Sequence, residues 1–171
     1  MTSRITRPGR KASVTVRRAT ARDAKRLTRL VRGSGAYEGR YAAMVAGYRV
    51  GPAYIDTHRV FVAVDEGDIS GDHGVRDRVL GFYSLLIDPA ELDLMFVADA
   101  AQGLGIGRLL VAHMRDEARA AGLDRVRVVS HPPAEGFYRS MGARRTGTAP
   151  AAPPAVAWDR PELEFAIPPA A

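Results

Sequence analysis

The stretch from residue 91 to residue 122 constrains the fold of this chain most strongly, because it joins a strand pattern directly to a helix pattern. Its first seven residues, ELDLMFV, alternate acids with leucines and then become apolar, which predicts a strand. A glycine-rich turn follows, and apolar residues then recur at helical spacing up to a predicted glycine end at Gly122. The apolar helical positions are Ile106, Leu109, Leu110, Met114, Ala118 and Ala121.

The glycine turn is typical of a site that binds an anion. The first N–H groups of a helix have no acceptor within the helix, and the aligned peptide dipoles favour negative charge there. Glycines at 103, 105 and 107 let the backbone approach a ligand, although a plain tight connection has the same composition. Two known phosphate loops are excluded. The dinucleotide fingerprint counted from Gly103 has Arg108 in its last place, and no Lys-Ser/Thr pair follows Gly107.

Two motifs, in a fixed order, carry a family resemblance. The turn matches Q/R-x-x-G-x-G/A through Gln102, Gly105 and Gly107. Downstream, HPPAEGFYRSMGA matches N-x-x-A-x-x-F-Y-x-x-x-G, with His131 in the place of the asparagine. The matching residues of this second motif are Ala134, Phe137, Tyr138 and Gly142. The pair resembles the GNAT (GCN5-related N-acetyltransferase) superfamily of acyl-CoA-dependent N-acyltransferases.

Length and composition limit the alternatives. A chain of 171 residues suits one domain, and we expect residues 13–171 to form it behind a disordered basic tail, residues 1–12. The absence of cysteine excludes disulfides and thiolate nucleophiles. No apolar run is long enough to span a membrane, and the Arg-rich start lacks the pattern of a secretion signal, so we expect a cytoplasmic protein.

The net charge of +6 comes from the beginning of the chain. Residues 1–18 contain six basic residues and no acid, and the remainder contains 19 residues of each sign. A basic tail of this kind indicates loose polyanion contact more than specific recognition, so nucleic-acid binding is not the favoured function. An acidic loop within residues 65–77 lacks the EF-hand spacing, and we expect no metal site there.

The remaining patterns predict a mixed α/β fold. Strands are predicted around Val14–Val16 and over residues 60–64, 79–87, 124–130 and 161–167, and helices after Thr20, within residues 35–58 and over residues 134–141. Residues 146–160, rich in Ala, Pro and Gly, are predicted to form a loop. The expected architecture is a mixed, mostly antiparallel central sheet of six to seven strands with flanking helices, the acyl-CoA N-acyltransferase fold of the family it resembles.

The resemblance implies a binding site for acetyl-CoA as co-substrate, with no metal. In such a fold the strands at 91–97 and 124–130 separate, so that backbone groups of Met95, Phe96 and Val97 bind pantetheine. The turn amides hold the pyrophosphate, and His131 is a further candidate contact. The turn residues are Gln102, Gly103, Leu104, Gly105, Ile106, Gly107 and Arg108.

The catalytic candidates are one tyrosine and two carboxylates. Tyr138 resembles the tyrosine of the family that protonates the departing thiolate. Glu91 and Asp93 lie two apart on a predicted strand, so both carboxylates are expected to face one pocket and to be candidate bases. Glu91 stands eleven residues before Gln102, as does the catalytic glutamate of the histone-acetylating branch. Ordered water is the alternative route for the proton.

The acceptor pocket is expected to involve the segment after the first helix. Tyr37, Tyr41, Tyr48 and Tyr54 either pack against the sheet or line that pocket, and Trp158 either covers the sheet edge or contacts substrate. The sequence thus predicts an acetyl-CoA-dependent N-acetyltransferase acting on a small-molecule or protein amine. The alternative is a non-catalytic acyl-CoA sensor. A homodimer through the final strands is a further expectation.

Overall fold

The computed structural model describes residues 14–65 and 78–170, so the predicted basic tail and most of the acidic loop lie outside the described residues. The strands are β1 (Val14–Arg18), β2 (Arg59–Asp65), β3 (Arg78–Leu86), β4 (Glu91–Val97), β5 (Arg125–Val129), β6 (Arg144–Ala149) and β7 (Arg160–Ala166). The helices are α1 (Ala24–Arg32), α2 (Ala42–Ala46), α3 (Pro52–Thr57), α4 (Ile106–Ala120) and α5 (Glu135–Ser140). Short 3₁₀ turns precede several of the helices.

The described strands form one sheet in the order β1-β2-β3-β4-β5-β7-β6. Every neighbouring pair is antiparallel except β4 and β5, which run parallel. This confirms the predicted mixed, mostly antiparallel sheet with flanking helices. One prediction was wrong, since β6 occupies part of the segment predicted as a loop. The strand was missed because its sequence, RRTGTA, has no apolar alternation. Its side chains are mostly exposed at the sheet edge, so burial imposes no pattern on them.

The two faces of the sheet carry different hydrophobic cores. Helices α4 and α5 pack on one face, where Leu110 and Met114 meet Tyr83 and Phe165. Helices α1 to α3 pack on the other face, where Leu27 and Ile55 contact a core with Val60. The first core includes residues of β1 to β5 and of β7, whereas the second core, among the described residues, includes none of β5 to β7. The site described below lies between the two cores.

Helix α4 forms where it was predicted, and its buried face differs from the predicted apolar stripe at one position. Its buried residues are Ile106, Leu110, Val111, Met114 and Ala118. Leu109, predicted to lie in the apolar stripe, is 37% exposed, and Val111 takes its place in the core. The reason is the 3.6-residue period, which rotates 109 away from the direction shared by 106, 110 and 114. Gly122 has φ +77° directly after the helix, as expected for a glycine that ends one. Within the described ranges no helix is both long and apolar enough to cross a bilayer.

Candidate active site

Strands β4 and β5 are joined only at their beginning. A single register pair, Glu91 with Arg127, links them, and the Arg127 N–H donates to the Ala90 carbonyl at 3.0 Å. Beyond this point the strands separate, as predicted. The last five residues of β4 therefore have a strand neighbour on one side only.

The hydrogen-bond register decides which backbone groups of β4 face the opening. The Ala98 N–H donates to the Leu80 carbonyl at 2.8 Å, and β3 and β4 then pair in an unbroken antiparallel register down to Leu94. Because antiparallel pairs alternate, Phe96 exchanges its hydrogen bonds with β3, whereas Met95 and Val97 direct their N–H and C=O groups into the gap. Three residues were predicted to offer backbone groups to a ligand. The register leaves those of Met95 and Val97 facing the gap, whereas those of Phe96 face β3.

The turn before α4 presents a run of free amides. The N–H groups of residues 103–108 have no acceptor within the part of the chain that the structure describes, and the first amide of this region to find one is Leu109, which donates to Gly105 at 3.0 Å. Gln102 differs from the expectation, because its amide donates to the Asp99 carbonyl at 3.3 Å and its side chain donates to the Val97 carbonyl at 3.2 Å. The run of free amides therefore starts at Gly103. Leu104 within it is 68% exposed.

The glycines of this turn have different roles. Gly103 and Gly105 both have φ +79°, where an L-residue is strained, and a Cβ at either position would meet no neighbouring atom. Gly107 has helical geometry instead, but a Cβ there would lie 2.9 Å from Cζ of Phe137. The first two glycines thus shape the turn and leave its face open. The third lets Phe137 of the second motif pack directly on the first turn of α4.

A cavity of about 870 Å³ extends from this turn between β4 and β5 to the other side of the sheet. It is lined by the turn, by Met95 and Val97, by Tyr138, and by both predicted carboxylates. Tyr138 is 8% exposed, and its hydroxyl has no hydrogen-bond partner among the described residues. Burial, with a smaller contribution from Tyr37, raises the pKa of Tyr138 well above that of a free phenol. Its hydroxyl therefore stays protonated at neutral pH.

Glu91 and Asp93 reach the same cavity, as predicted, although the strand between them is irregular. Ser84 pairs with Leu94 and Leu85 with Leu92, which leaves Asp93 as the extra residue of a β-bulge. The Asp93 carboxylate accepts a hydrogen bond from the Tyr54 hydroxyl, whose oxygen also lies 2.6 Å from the buried Ser84 hydroxyl. The Glu91 carboxylate lies 3.4 Å from Arg127, whose guanidinium also contacts Glu162.

His131, predicted as a pantetheine contact, lines the cavity. Its Nε2 lies 2.7 Å from the Ala36 carbonyl, an arrangement in which Nε2 carries the proton and donates. Its ring stacks on Tyr37 with centroids 4.0 Å apart. Burial lowers the pKa of His131, which keeps the ring neutral. The residue therefore fastens the segment before α2 against the cavity.

Tyr41 extends this contact into an aromatic wall, formed by Tyr37, Tyr41, His131 and Trp158. The ring of Tyr41 meets His131 edge-on with centroids 4.5 Å apart, and it meets Trp158 edge-on at 4.6 Å. Trp158 and Tyr37 both line the cavity, as does Tyr48. Tyr37, Tyr48 and Tyr54 pack against the core beneath α1 to α3, and Tyr37 and Tyr48 also line the cavity.

Sequence reasoning missed three polar residues of the site. Tyr54 was recognised as an aromatic but not as the partner of Asp93, because the bulge that brings them together depends on the register of β3. Arg127 and Arg160 are two of 23 arginines, and nothing in the spacing singles them out. Arg160 lines the cavity two residues after Trp158. The only sequence signal for it was its nearness to that tryptophan.

Comparison with known families gives one match. Residues 56–142, just over half of the chain, match the family model described as the acetyltransferase (GNAT) domain. That range contains β2 to β5, the glycine turn, α4 and α5. No curated protein matches the sequence.

Solved structures share the fold at low sequence identity. A GCN5-related N-acetyltransferase from Rhodopseudomonas palustris superimposes with a TM-score of 0.73 at 16% identity, covering 93% of this chain and 99% of that one. The putative acetyltransferase yncA from Salmonella typhimurium, solved with its cofactor acetyl-CoA, gives 0.63 at 19% identity, covering 94% and 97%. A phosphinothricin acetyltransferase from Sinorhizobium meliloti in complex with acetyl-CoA gives 0.64 at 21% identity, covering 90% and 88%.

Proposed function

The chain belongs to the GNAT acetyltransferase family, and from this premise we propose that it transfers an acetyl group from acetyl-CoA to a primary amine in a ternary complex. The observation that carries the proposal is the run of free amides at residues 103–108, which opens onto the gap between β4 and β5. A helix N-terminus with unpaired amides favours a phosphate, and an open strand edge favours an amide-bearing chain.

The residues around the gap fit coenzyme A in three parts. The amides of Gly103 to Arg108 would hold the pyrophosphate, with the Arg108 side chain adding charge at the same helix end. The Met95 and Val97 backbone groups that face the gap would bond the pantetheine amides as a neighbouring strand does. The cavity then continues past Tyr138 to the carboxylates, so a bound thioester would lie between the proton donor and the proton acceptors.

Acetyl-CoA supplies the activated acetyl group, and the protein has to supply proton transfers and orientation. An ammonium ion must lose a proton before its nitrogen can attack, and the departing sulfur must be protonated. We assign the first transfer to Glu91. Asp93, whose orientation is fixed by the Tyr54 hydroxyl, holds the ammonium group in place. Tyr138 donates the proton to sulfur through its unpaired hydroxyl.

The test is to mix the protein with acetyl-CoA and a panel of primary amines and to measure free thiol by a colorimetric reagent. Amine-dependent thiol release with one acetylated product per thiol supports the proposal. Calorimetric binding of CoA without thiol release from any amine would support the sensor instead. No heat with CoA would remove both functions, since neither exists without the nucleotide site.

A further inference from the structure

The cavity lining contains polar groups for which the proposed transfer has no use. Among the buried side-chain atoms with no hydrogen-bond partner in the described ranges are Nε of Arg160, Nε1 of Trp158 and Nδ1 of His131. All three residues line the same cavity. Nε of Arg160 and Nε1 of Trp158 are donors, whereas Nδ1 of His131 is an acceptor, because Nε2 carries the proton of that ring. A buried donor left unpaired costs about 1–3 kcal/mol, so two of them in one cavity indicate that another molecule completes them.

Arg160 is the charged member of this group. It begins β7, beside the end of β5, where the Ser130 N–H donates to the Pro161 carbonyl at 2.8 Å. No carboxylate of the described residues lies within ion-pair distance of its guanidinium. The arginines of the neighbouring surface differ, since Arg127 contacts Glu162 and Arg145 contacts Glu135. A half-buried guanidinium without a counter-ion favours an anionic ligand.

Two carboxylates line the same cavity as Arg160. Asp93 accepts a hydrogen bond from Tyr54 but pairs with no cation within the part of the chain described, whereas Glu91 lies 3.4 Å from Arg127. Tyr48 and Tyr37 also line this cavity. The Asp93 charge, after burial, raises the pKa of Tyr48. Burial and Tyr48 raise the pKa of Tyr37 to about 12, against the opposing charge of Arg160.

We propose that the acceptor is an amine that also carries an anionic group, and that Arg160 binds this group while the ammonium lies at Asp93 and Glu91. The inference rests on the proposed function. The Trp158 N–H is the second donor to the anion. The aromatic wall holds the Trp158 donor in place, because Tyr41 packs on Trp158 and on His131, which is fastened to Ala36. Amino carboxylates and amino phosphonates share this chemistry.

The experiment compares matched acceptors in the thiol-release assay. Each pair consists of an α-amino acid and the amine without its carboxylate, for example phenylalanine with 2-phenylethylamine, and an aminoalkylphosphonate of the same length forms a third arm. We expect the anionic member of at least one pair to have a kcat/KM about tenfold or more above its uncharged partner. The carboxylate and phosphonate arms then identify which anion fits.

The variant Arg160→Gln should remove this preference. Its KM for the anionic acceptor should rise by roughly 10–100-fold while the uncharged partner is used as before, because the lost contact is made only by the anion. The control is Arg144→Gln, which changes an exposed arginine of β6 outside the cavity and should leave both rates unaltered. Calorimetry of the anionic amine against CoA-saturated protein provides a readout independent of turnover.

Two results would overturn the inference while leaving the acetyltransferase intact: uncharged amines used better than every anionic partner, or an Arg160→Gln change that affects both members of a pair equally. Absence of thiol release with all acceptors, together with absence of CoA binding, would instead remove the proposed function, and this inference with it. The two failures are therefore distinguishable in one set of measurements.

Discussion

Tyr138 is the one cavity-lining tyrosine that packs in the core beneath α4 and α5, whereas Tyr37 and Tyr48 pack on the opposite core. Replacing Tyr138 with Phe keeps the ring and removes only the proton donor. We expect kcat to fall on the order of 100-fold, a typical contribution of general acid catalysis, with CoA affinity nearly unchanged. Thiol-release kinetics and calorimetry measure the two quantities. Equal turnover in the two proteins would end the assignment.

The protonation of Tyr138 also predicts how activity depends on pH. Because burial raises the pKa of Tyr138, its hydroxyl remains protonated well above the pH at which a free tyrosine ionises. Activity limited by this proton donor should therefore not decline between about pH 9 and pH 11, the range in which a free tyrosine loses its proton, and initial rates across that range measure it.

Replacing Glu91 and replacing Asp93 should change different kinetic parameters. Glu91→Gln removes the proposed base, so kcat should fall and the acidic limb of the pH–rate profile should disappear. Asp93→Asn removes the anion that holds the ammonium, so the acceptor KM should rise about tenfold or more while that limb persists. Steady-state rates between pH 5 and pH 9 test both. If both variants keep the acidic limb at wild-type turnover, proton transfer through ordered water is favoured.

Motif matching identified the residues around the gap but not all of their roles. Gly107 belongs to the first motif and Phe137 to the second, and the structure shows that one requires the other, since any side chain at 107 would meet the Phe137 ring. His131 occupies a motif position, yet its partners Ala36 and Tyr37 are nearly a hundred residues away in sequence. A linear pattern contains no information about such a distant partner, so the aromatic wall could not be predicted.

At the scale of elements, the two ends of α4 provide a matched pair of glycines. Gly105 precedes the helix with φ +79°, Gly122 follows it with φ +77°, and a Cβ at either position meets no neighbouring atom. Alanine at either site should cost roughly 1–2 kcal/mol of stability through the left-handed backbone. Only Gly105→Ala should also weaken CoA binding, by about tenfold or more, because it changes the free-amide turn. Calorimetry and urea unfolding measure both effects, and equal CoA affinity in the two variants would place the nucleotide elsewhere.

The start of α1 is fastened to β1 through Asp23. This buried carboxylate accepts hydrogen bonds from Arg17 at 2.9 Å, from the Thr20 amide at 2.9 Å and from Arg26 at 2.6 Å. Burial alone would raise its pKa, but these bonds outweigh burial and lower the pKa from 3.8 to about 2. A lowered pKa means that the stabilisation is complete above about pH 4 and is lost as the pH falls through about 2.

We therefore expect Asp23→Asn to lower the free energy of unfolding by about 2 kcal/mol at pH 7. The difference from wild type should shrink as the pH falls from about 4 to about 2. Urea unfolding across that range measures it. Asp116→Asn is the control, since this exposed carboxylate pairs with Arg119 one helical turn away, its one ion pair among the described residues, and should contribute little. A pH-independent difference at Asp23 would contradict the linkage.

The elements that sequence predicted well are those whose burial imposes a pattern. β2 is buried over five consecutive residues, and α4 repeats apolar residues every three or four positions, so both were found. β6 was not predicted, because a mostly exposed edge strand has no hydrophobic alternation. The bulge at Asp93 was not predicted either, because a bulge is defined only by the pairing with the neighbouring strand. The bulge matters most, since it puts Asp93 beside Tyr54 without moving Glu91 from the same cavity.

At the scale of the whole molecule, the sheet consists of two parts, β1–β4 and β5–β7–β6, joined by one register pair and by the core beneath α4 and α5. A ligand in the gap would bond to both parts. We expect CoA at a hundred times its Kd to stabilise the protein by about 2.7 kcal/mol, which raises the unfolding midpoint by roughly 5–10 °C. Differential scanning fluorimetry measures this shift, and Gly122→Ala should retain it.

Amide hydrogen exchange can show, for each residue, where CoA in the gap contacts the backbone. The Phe96 amide already bonds to β3 and should exchange slowly with or without CoA, whereas the Met95 and Val97 amides face the gap and should become slow only when CoA is bound. The amides of residues 103–108 should change with them, because the proposed site uses both sets together. Protection that appears in the turn but not at Met95 and Val97 would indicate a phosphate site without pantetheine in the gap, and the route of the thioester to Tyr138 would then be wrong.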